Sequence, residues 1–292
     1  MAQQRSGELF DSATATAWPS PAKINLFLHI TGKRADGYHN LQTVFQFLEY
    51  GDDLFFDVND KGLIERSYDF GFTEESDLCL RAARQLQLLA GDKCGVTIGL
   101  TKRLPMGGGV GGGSSNAATV LLALNALWNV GLSRQELAAI GLTLGADVPV
   151  FVMGKAAWAE GVGEQLWPIQ PPEKWFVVLN PQINVSTKRI FSNKQLTTAP
   201  EIKRIRAFEK GIDSSFGENQ LEPLVRADYP EVDRLIEWLS QFGVPRMCGS
   251  GGSVFLPVDN QQLGNDILAK RPSNSVGFVA KGQNFHPLLN II

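Results

Sequence analysis

Cysteine is scarce in this sequence, with only three among 292 residues. Cys79, Cys94 and Cys248 are far apart and form no Cys-x-x-Cys pair, which argues against a disulfide framework or a zinc site. We expect three free thiols in a reducing compartment, each with a packing role. A chain of this length buries enough apolar surface to fold without cross-links.

Long apolar runs and basic clusters are also missing. No stretch approaches 18 consecutive apolar residues, so the sequence predicts no transmembrane helix. Residues 1–17 lack the apolar segment of a signal peptide and are predicted to form a flexible leader. Lys and Arg total 27 against 30 Asp and Glu, a formal net charge of −3 that argues against a nucleic-acid or membrane partner. We expect a cytoplasmic protein that is a monomer or a weak homodimer.

The periodicity of apolar residues indicates a mixture of strands and helices without regular βαβ alternation, which predicts an α+β fold. Strands are predicted at residues 23–31, 41–50, 54–58, 95–103, 147–154, 175–181, 253–257 and 276–280. Helices are predicted at residues 77–90, 114–130, 134–145, 228–239 and 261–269, the third of them starting with a capping box at Ser133 and Glu136. A Pro-rich stretch after residue 165 predicts two domains, 18–165 and 166–292.

Glycine is concentrated in one place. Six of the seven residues 107–113 are glycine, between a predicted strand and a strongly apolar predicted helix. Glycines let a backbone wrap closely around a ligand, and the unpaired N–H groups at a helix start attract anions. This segment, the glycine loop, is therefore predicted to hold phosphate, and the hydroxyls of Ser114 and Ser115 could bind phosphate or Mg²⁺.

Other phosphate-binding motifs fit less well. The Gly-Lys-Ser/Thr of a Walker A loop is absent, and none of the three histidines is followed by the Arg-Asp of a protein kinase. The pattern Gly-x-Gly-x-x-Gly does occur at Gly107, Gly109 and Gly112, which leaves a dinucleotide-binding oxidoreductase as an alternative. A dinucleotide site would need a second strand after the helix, whereas the chain predicts a second helix.

The glycine loop resembles that of the GHMP kinases, with Pro105 before the glycines and Ser114 and Ser115 after them. Two more segments resemble motifs of this family in the expected order: PAKINL at residues 21–26 and GSGGSVF at residues 249–255. The resemblance implies a two-domain architecture, with an N-terminal domain similar to ribosomal protein S5 domain 2 and a C-terminal α/β sandwich. It also implies that the active site lies in the cleft between the two domains.

Three longer segments, at residues 21–48, 102–125 and 144–164, are most similar to a GHMP kinase of the non-mevalonate isoprenoid pathway. That resemblance implies ATP-dependent phosphorylation of the 2-hydroxyl of a cytidylyl sugar alcohol, with ATP and Mg²⁺ as cofactors. A homoserine or mevalonate kinase activity is the alternative within the family.

The resemblance also implies roles for single residues. Asp147 would be the general base, although a turn or N-cap aspartate is the structural alternative, and Lys23 beside it would keep the carboxylate ionised. ATP would be bound by Lys102, Pro105, Met106, Gly107, Gly108, Gly109, Val110, Gly111, Gly112, Gly113, Ser114, Ser115 and Asn116. At the other substrate, Tyr38 and Phe191 would stack on cytosine and His39 would read the edge of the base. Asn25 and Thr187 would contact the sugar alcohol or the diphosphate.

Overall fold

The computed structural model describes residues 16–193, 195–196 and 218–290. All but the last two residues of the predicted leader therefore lie outside the described residues. The strands are β1 (Trp18–Lys33), β2 (His39–Asn59), β3 (Ile64–Arg66), β4 (Gly95–Thr101), β5 (Ala157–Glu160), β6 (Gln165–Pro168), β7 (Trp175–Asn180), β8 (Arg246–Met247), β9 (Val254–Val258) and β10 (Val276–Gln283). The helices are α1 (Leu78–Ala90), α2 (Gly112–Leu127), α3 (Arg134–Leu144), α4 (Val148–Met153), α5 (Thr187–Phe191), α6 (Glu222–Asp228), α7 (Pro230–Leu239) and α8 (Gln261–Ala269), with short 3₁₀ helices at Glu74–Ser76 and Pro287–Asn290.

The strands form one mixed sheet in the order β3-β4-β2-β10-β7-β9-β8, with β1 and β5 also paired to β2 and β6 paired to β5. Strand β2 runs without interruption through residues 51–53, where the sequence predicted a break between two strands. Gly51 permits this because a Cβ there would lie 2.2 Å from the Ser20 carbonyl oxygen on β1. The last residues of β10 pair with β2, which joins the N-terminal and C-terminal halves of the sheet.

Four buried apolar clusters hold the described elements together, and the smallest of them packs around Trp158. The largest lies between β2, β4 and helices α1 to α4, and the second fills the C-terminal half beneath α5 to α8. A third cluster, which includes Ile24, Val110 and Phe255, lies directly under the glycine loop and combines residues of both halves. The loop therefore rests on the junction of the two halves of the molecule.

Helix α2 is the central helix that its composition predicted, because every residue from Ser115 to Leu124 is buried. The capping box of α3 is present, with the Ser133 side chain on the Glu136 N–H and the Glu136 side chain on the Ser133 N–H. The predicted range 261–269 matches α8 residue for residue.

The prediction of a strand at residues 147–154 is wrong, because residues 148–153 form helix α4. An apolar run of this length has no readable period when it is buried on all sides, and α4 packs against both α2 and α3. Two local signals favoured a helix. Pro149 sits in the first turn, where a missing N–H costs nothing, and Gly154 ends the helix in a left-handed conformation with φ 71°.

The α+β class is confirmed, and the helices that follow the glycine loop exclude the second parallel strand of a dinucleotide-binding fold. The boundary between residues 165 and 166 stays a prediction. Within the part of the chain that the structure describes, no helix combines the length and the apolar character that a membrane crossing needs.

Candidate active site

A cavity of about 760 Å³ opens between the two halves of the molecule. Its walls come from β1, the glycine loop, the start of α4, α5 and the turn at residues 249–250. All the predicted ATP-binding residues except Ser115 line it, as do Lys23, Asn25, Asp147, Thr187 and Phe191. The structure therefore brings together residues from five separate segments that the sequence singled out.

Lys23 and Asp147 form an ion pair inside this cavity, with Nζ 3.1 Å from Oδ2. The Lys23 side chain is 2% exposed and that of Asp147 is 34% exposed, so the carboxylate is the more open of the two groups, although Lys23 also lines the cavity. Lys23 Nζ also donates a hydrogen bond to Asn25 Oδ1 at 2.7 Å and lies 5.3 Å from the centre of the Phe45 ring. Asp147 occupies the N-cap position of α4, but its side chain makes no capping hydrogen bond. A role as a helix cap therefore does not account for its carboxylate.

The glycine loop turns its carbonyl groups into the protein. Val110 O accepts from Lys23 N at 2.9 Å, Gly108 O accepts from Ser253 N at 2.9 Å, and Gly109 O lies 3.3 Å from Cys248 Sγ. In a trans peptide the N–H of the next residue points the opposite way. The N–H groups that follow these three carbonyls are therefore directed to the cavity side, which creates a concave surface suited to an anion.

The start of α2 continues this anion-binding surface. Gly111 is its N-cap with φ 77° and provides no side-chain cap, so the first N–H groups of the helix have no capping partner. Of the two serines, Ser114 lines the cavity. Ser115 is fully buried and its hydroxyl is hydrogen-bonded to that of Ser20, with the two oxygens 2.8 Å apart, away from the cavity.

Lys102 adds a positive charge at the same place. A Cβ on Gly112 would lie 3.1 Å from Lys102 Nζ, so the ammonium stands beside the first turn of α2. A cation is unfavourable at the positive end of a helix unless negative charge is close. Asp52, which is buried, supplies one such charge with Oδ2 2.6 Å from Lys102 Nζ. Its Oδ1 accepts the N–H groups of Arg103 and Leu104, which fixes the entry to the glycine loop.

Of the three predicted base-binding residues, Phe191 lines the cavity, whereas Tyr38 and His39 lie outside its lining. The rings of His39 and Phe191 lie 5.7 Å apart with their planes inclined by 37°. Burial, and then the charge of Lys33, lower the pKa of His39, and its buried Nδ1 has no hydrogen-bond partner. Tyr38 is 64% exposed, on the surface of the protein.

Thr187 begins α5 and approaches the cavity from the C-terminal half. Its hydroxyl lies 2.7 Å from that of Ser250, so two hydroxyls from different segments meet at the cavity edge. Backbone conformations with φ of 56°, 114° and 92° at Gly249, Gly251 and Gly252 place this turn against the glycine loop. A Cβ on Gly252 would come within 2.7 Å of Gly107 O, which explains the glycine there.

An aromatic wall that the sequence did not single out closes the cavity beside α1. It consists of Tyr68, Phe70 and Phe72, and adjacent members have ring centroids 5.3 and 6.2 Å apart. Buried Asp77 holds the wall, because its Oδ2 accepts from Tyr68 Oη while its Oδ1 caps α1. The pattern Tyr-x-Phe-x-Phe at residues 68–72 was the available signal.

Comparison with known proteins agrees with this geometry. The profile of the GHMP kinases N terminal domain matches residues 77–155, and that of the GHMP kinases C terminal domain matches residues 198–275. The chain is 52% identical over 279 residues to the 4-diphosphocytidyl-2-C-methyl-D-erythritol kinase of Marinobacter nauticus, covering 94% of this chain and 96% of that protein. It is 50% identical over 277 residues to the kinase of the same name from Thiobacillus denitrificans, covering 94% and 98%.

A solved structure is also similar over nearly its whole length. The crystal structure of a 4-(cytidine 5'-diphospho)-2C-methyl-D-erythritol kinase superposes with a TM-score of 0.79 at 31% identity, covering 92% of this chain and 100% of that one. The predicted two-domain GHMP architecture is thereby confirmed. The chain belongs to the GHMP kinases and, within them, to the 4-diphosphocytidyl-2-C-methyl-D-erythritol kinase family.

Proposed function

We propose that the chain transfers the γ-phosphate of ATP to the 2-hydroxyl of 4-diphosphocytidyl-2-C-methyl-D-erythritol, giving the 2-phosphate and ADP. The observation that carries this proposal is the Lys23–Asp147 ion pair beside a glycine loop in one cavity. The names of the relatives support the choice of acceptor and of the non-mevalonate isoprenoid pathway. No observation favours a homoserine or mevalonate acceptor.

In the proposed reaction, Asp147 accepts the proton of the acceptor hydroxyl while that oxygen bonds to the γ-phosphorus. The bond from the γ-phosphorus to the oxygen bridging it to the β-phosphorus breaks, and ADP leaves. Lys23 holds the Asp147 carboxylate in place and provides positive charge next to the reacting oxygen. The cavity-side N–H groups of the glycine loop stabilise the charge on the phosphate oxygens without having to reorganise.

Mg²⁺ would neutralise part of the phosphate charge when it arrives with ATP. Among the described residues, no three His, Cys, Asp or Glu side chains gather closely enough to hold a metal ion. The phosphates would therefore provide most of the ligands, and Ser114 is the hydroxyl that lines the cavity at the start of α2. The hydroxyl of Ser115 is hydrogen-bonded to that of Ser20, which makes Ser115 the weaker candidate for a magnesium ligand.

The two ends of the cavity differ in a way that suits two different bases. At one end, Phe191 lines the cavity and offers one stacking surface for cytosine. We assign Tyr38 as the second stacking surface and His39, whose ring lies 5.7 Å from that of Phe191, as the residue that reads the edge of the base. Tyr38 is exposed, so we propose that it covers the base only when the substrate is bound. At the other end, the aromatic wall with Phe70 and Phe72 is the surface we assign to adenine.

The test measures ADP release with ATP, Mg²⁺ and four acceptors: the cytidylyl methylerythritol, homoserine, mevalonate and galactose. We expect turnover with the cytidylyl substrate alone. Turnover with another acceptor would agree with the glycine loop as the phosphate site but would contradict the roles proposed for Tyr38, His39 and Phe191. A lack of turnover with every acceptor would contradict the proposed function itself.

Replacing Asp147 tests the catalytic assignment. Asp147→Asn keeps the shape of the side chain but removes the base, so we expect kcat to fall by about 10² to 10⁴-fold. The matched control is Asp266→Asn on α8, where an exposed carboxylate accepts a hydrogen bond from Gln262. A kcat for Asp147→Asn close to that of the control would contradict the role of Asp147.

The location and assembly of the protein remain our proposals. We place it in the cytoplasm, where ATP is made and used, and the three unpaired cysteines are consistent with a reducing compartment. We retain the expectation of a monomer or weak homodimer, which sedimentation at two protein concentrations would test.

A further inference from the structure

We propose that Thr43 is a positioning residue that fixes the orientation of the Asn25 amide and, through it, the ammonium of Lys23. The inference rests on the proposed function, because it concerns the same ion pair. Thr43 lies on β2 and has no exposed surface, and its hydroxyl is hydrogen-bonded to Asn25 and Phe27 rather than to Lys23 or Asp147. It acts through a chain of hydrogen bonds.

The chain begins at an irregularity in β1. The register between β1 and β2 shifts between Asn25 and Leu28, and Thr43 pairs with Leu28 on the far side of this shift. Within the shift, the Phe27 carbonyl accepts a hydrogen bond from Thr43 Oγ1. A carbonyl oxygen can only accept, so the single hydroxyl hydrogen of Thr43 is committed to Phe27.

The rest of the chain follows from this commitment. Because its one hydrogen is already donated to Phe27, Thr43 Oγ1 can only accept a hydrogen bond from Asn25, and it accepts from Nδ2 at 2.8 Å. The amide oxygen of Asn25 therefore faces the other way and accepts from Lys23 Nζ at 2.7 Å. With the amide reversed, Asn25 would present N–H groups to the ammonium and its oxygen to the lone pairs of Thr43.

The burial of these groups makes the orientation matter. Asn25 is 3% exposed and Lys23 is 2% exposed, so water cannot replace a lost partner. Without the hydroxyl of Thr43, Asn25 Nδ2 either stays buried without an acceptor or the amide rotates to find one. Either outcome loosens the second anchor of the Lys23 ammonium, whose first anchor is the Asp147 carboxylate.

Three variants separate positioning from simple packing. Thr43→Val keeps the shape but removes the hydroxyl, and Thr43→Ser keeps the hydroxyl but removes the methyl group. We expect kcat to fall about tenfold in Thr43→Val, with the KM for ATP changed less than twofold because the glycine loop is untouched. We expect Thr43→Ser to retain kcat within about threefold of the unmodified protein. Thr43→Cys, whose thiol is a weak acceptor, replaces Thr43→Val if that variant is insoluble.

The closing experiment is a double-mutant cycle of Thr43→Val and Asn25→Ala, measured both in kcat and in the free energy of unfolding. We expect Thr43→Val to lower kcat by less than twofold further once Asn25 is alanine, and we expect the two changes to be non-additive in stability. Equal loss of kcat in both backgrounds, an unchanged kcat in Thr43→Val, or a Thr43→Ser variant no better than Thr43→Val would each overturn the inference. Failure of the proposed function is recognised separately, because the unmodified protein would then turn over no acceptor while the stability cycle still measures the contact.

Discussion

Adding one methyl group at Gly109 tests whether the contact between the glycine loop and the turn at residues 249–252 shapes the phosphate site. Gly109 has φ 74°, and a Cβ there would lie 2.2 Å from the Cys248 carbonyl oxygen and 2.7 Å from that of Gly251. Both neighbours are backbone atoms, which cannot rotate away as a side chain could. Gly109→Ala must therefore push the loop and the turn apart by about 1 Å to reach van der Waals distance.

The size of the effect follows from two costs. An alanine in the left-handed region costs about 1 kcal/mol relative to glycine, and forced displacement of packed backbone adds about 1–3 kcal/mol. Gly131 provides the matched control, because it has φ 79° and a Cβ there would meet nothing within 4 Å. We expect Gly131→Ala to lower the free energy of unfolding by about 1 kcal/mol, and Gly109→Ala to lower it by about 2–4 kcal/mol.

Activity should separate the two variants further. A displacement of about 1 Å in a group that positions the reacting phosphate can cost about 100-fold in rate. We expect kcat/KM for ATP to fall by about 10 to 100-fold in Gly109→Ala and to stay within twofold in Gly131→Ala. The assays are urea unfolding and coupled ADP release. Equal activity in the two variants would refute the reasoning that this contact shapes the phosphate site.

Two further predictions concern buried ionisable groups. Asp52→Asn removes the buried partner of Lys102, so we expect urea unfolding to report a loss of about 3 kcal/mol and ADP release to report a raised KM for ATP. Asp53→Asn, at a more exposed ion pair, should cost less than about 1 kcal/mol, and equal losses would contradict the first expectation. Burial, and then the charge of Arg134, lower the pKa of His286 to about 3 from an ordinary 6.5. Between these two pH values the unfolded chain binds a proton at this histidine and the folded protein does not, so stability falls as pH falls. Between about pH 7.5 and 5.5 the unmodified protein should lose about 1.4 kcal/mol more than His286→Gln in urea unfolding, and parallel pH profiles would contradict this.

The ends of a helix could be predicted from the sequence where capping residues lie next to them. Helix α1 starts after Asp77, whose side chain accepts from the N–H groups of Cys79 and Leu80, and ends before Gly91 with φ 111°. The start of α3 at Ser133 was predicted from the same kind of capping. In these cases the residues that determine the boundary lie within four positions of it.

The direction of a side chain at the site depended on contacts between distant segments. Ser115 was a candidate phosphate ligand because it follows the glycine loop, yet it bonds to Ser20 on β1. Thr119, four residues later on the same face of α2, bonds to Pro19 O. Helical periodicity links these two residues to one face, but only the position of β1 shows that this face is directed away from the cavity.

The aromatic wall and the role of Thr43 were beyond a sequence argument for a similar reason. Nothing in the pattern Tyr-x-Phe-x-Phe places it opposite the glycine loop, since that depends on how the loop after β3 packs around Asp77. The commitment of the Thr43 hydroxyl depends on a register shift in β1, and a register shift is not encoded by the alternation of apolar residues alone.

The cluster of Lys23, Asn25 and Asp147 is difficult to explain as a stabilising feature. A buried ammonium pays a desolvation cost that its partners only partly repay, and a well-packed apolar residue in its place is often neutral or stabilising. Here the neighbouring residues on β1 are apolar and fully buried, as Ala22 and Ile24 are, so an apolar side chain could be accommodated at position 23. An ammonium has three N–H donors, of which Asp147 and Asn25 take two. The remaining donor is available to a ligand in the cavity that Lys23 lines, which accounts for a buried charge that folding alone would not favour.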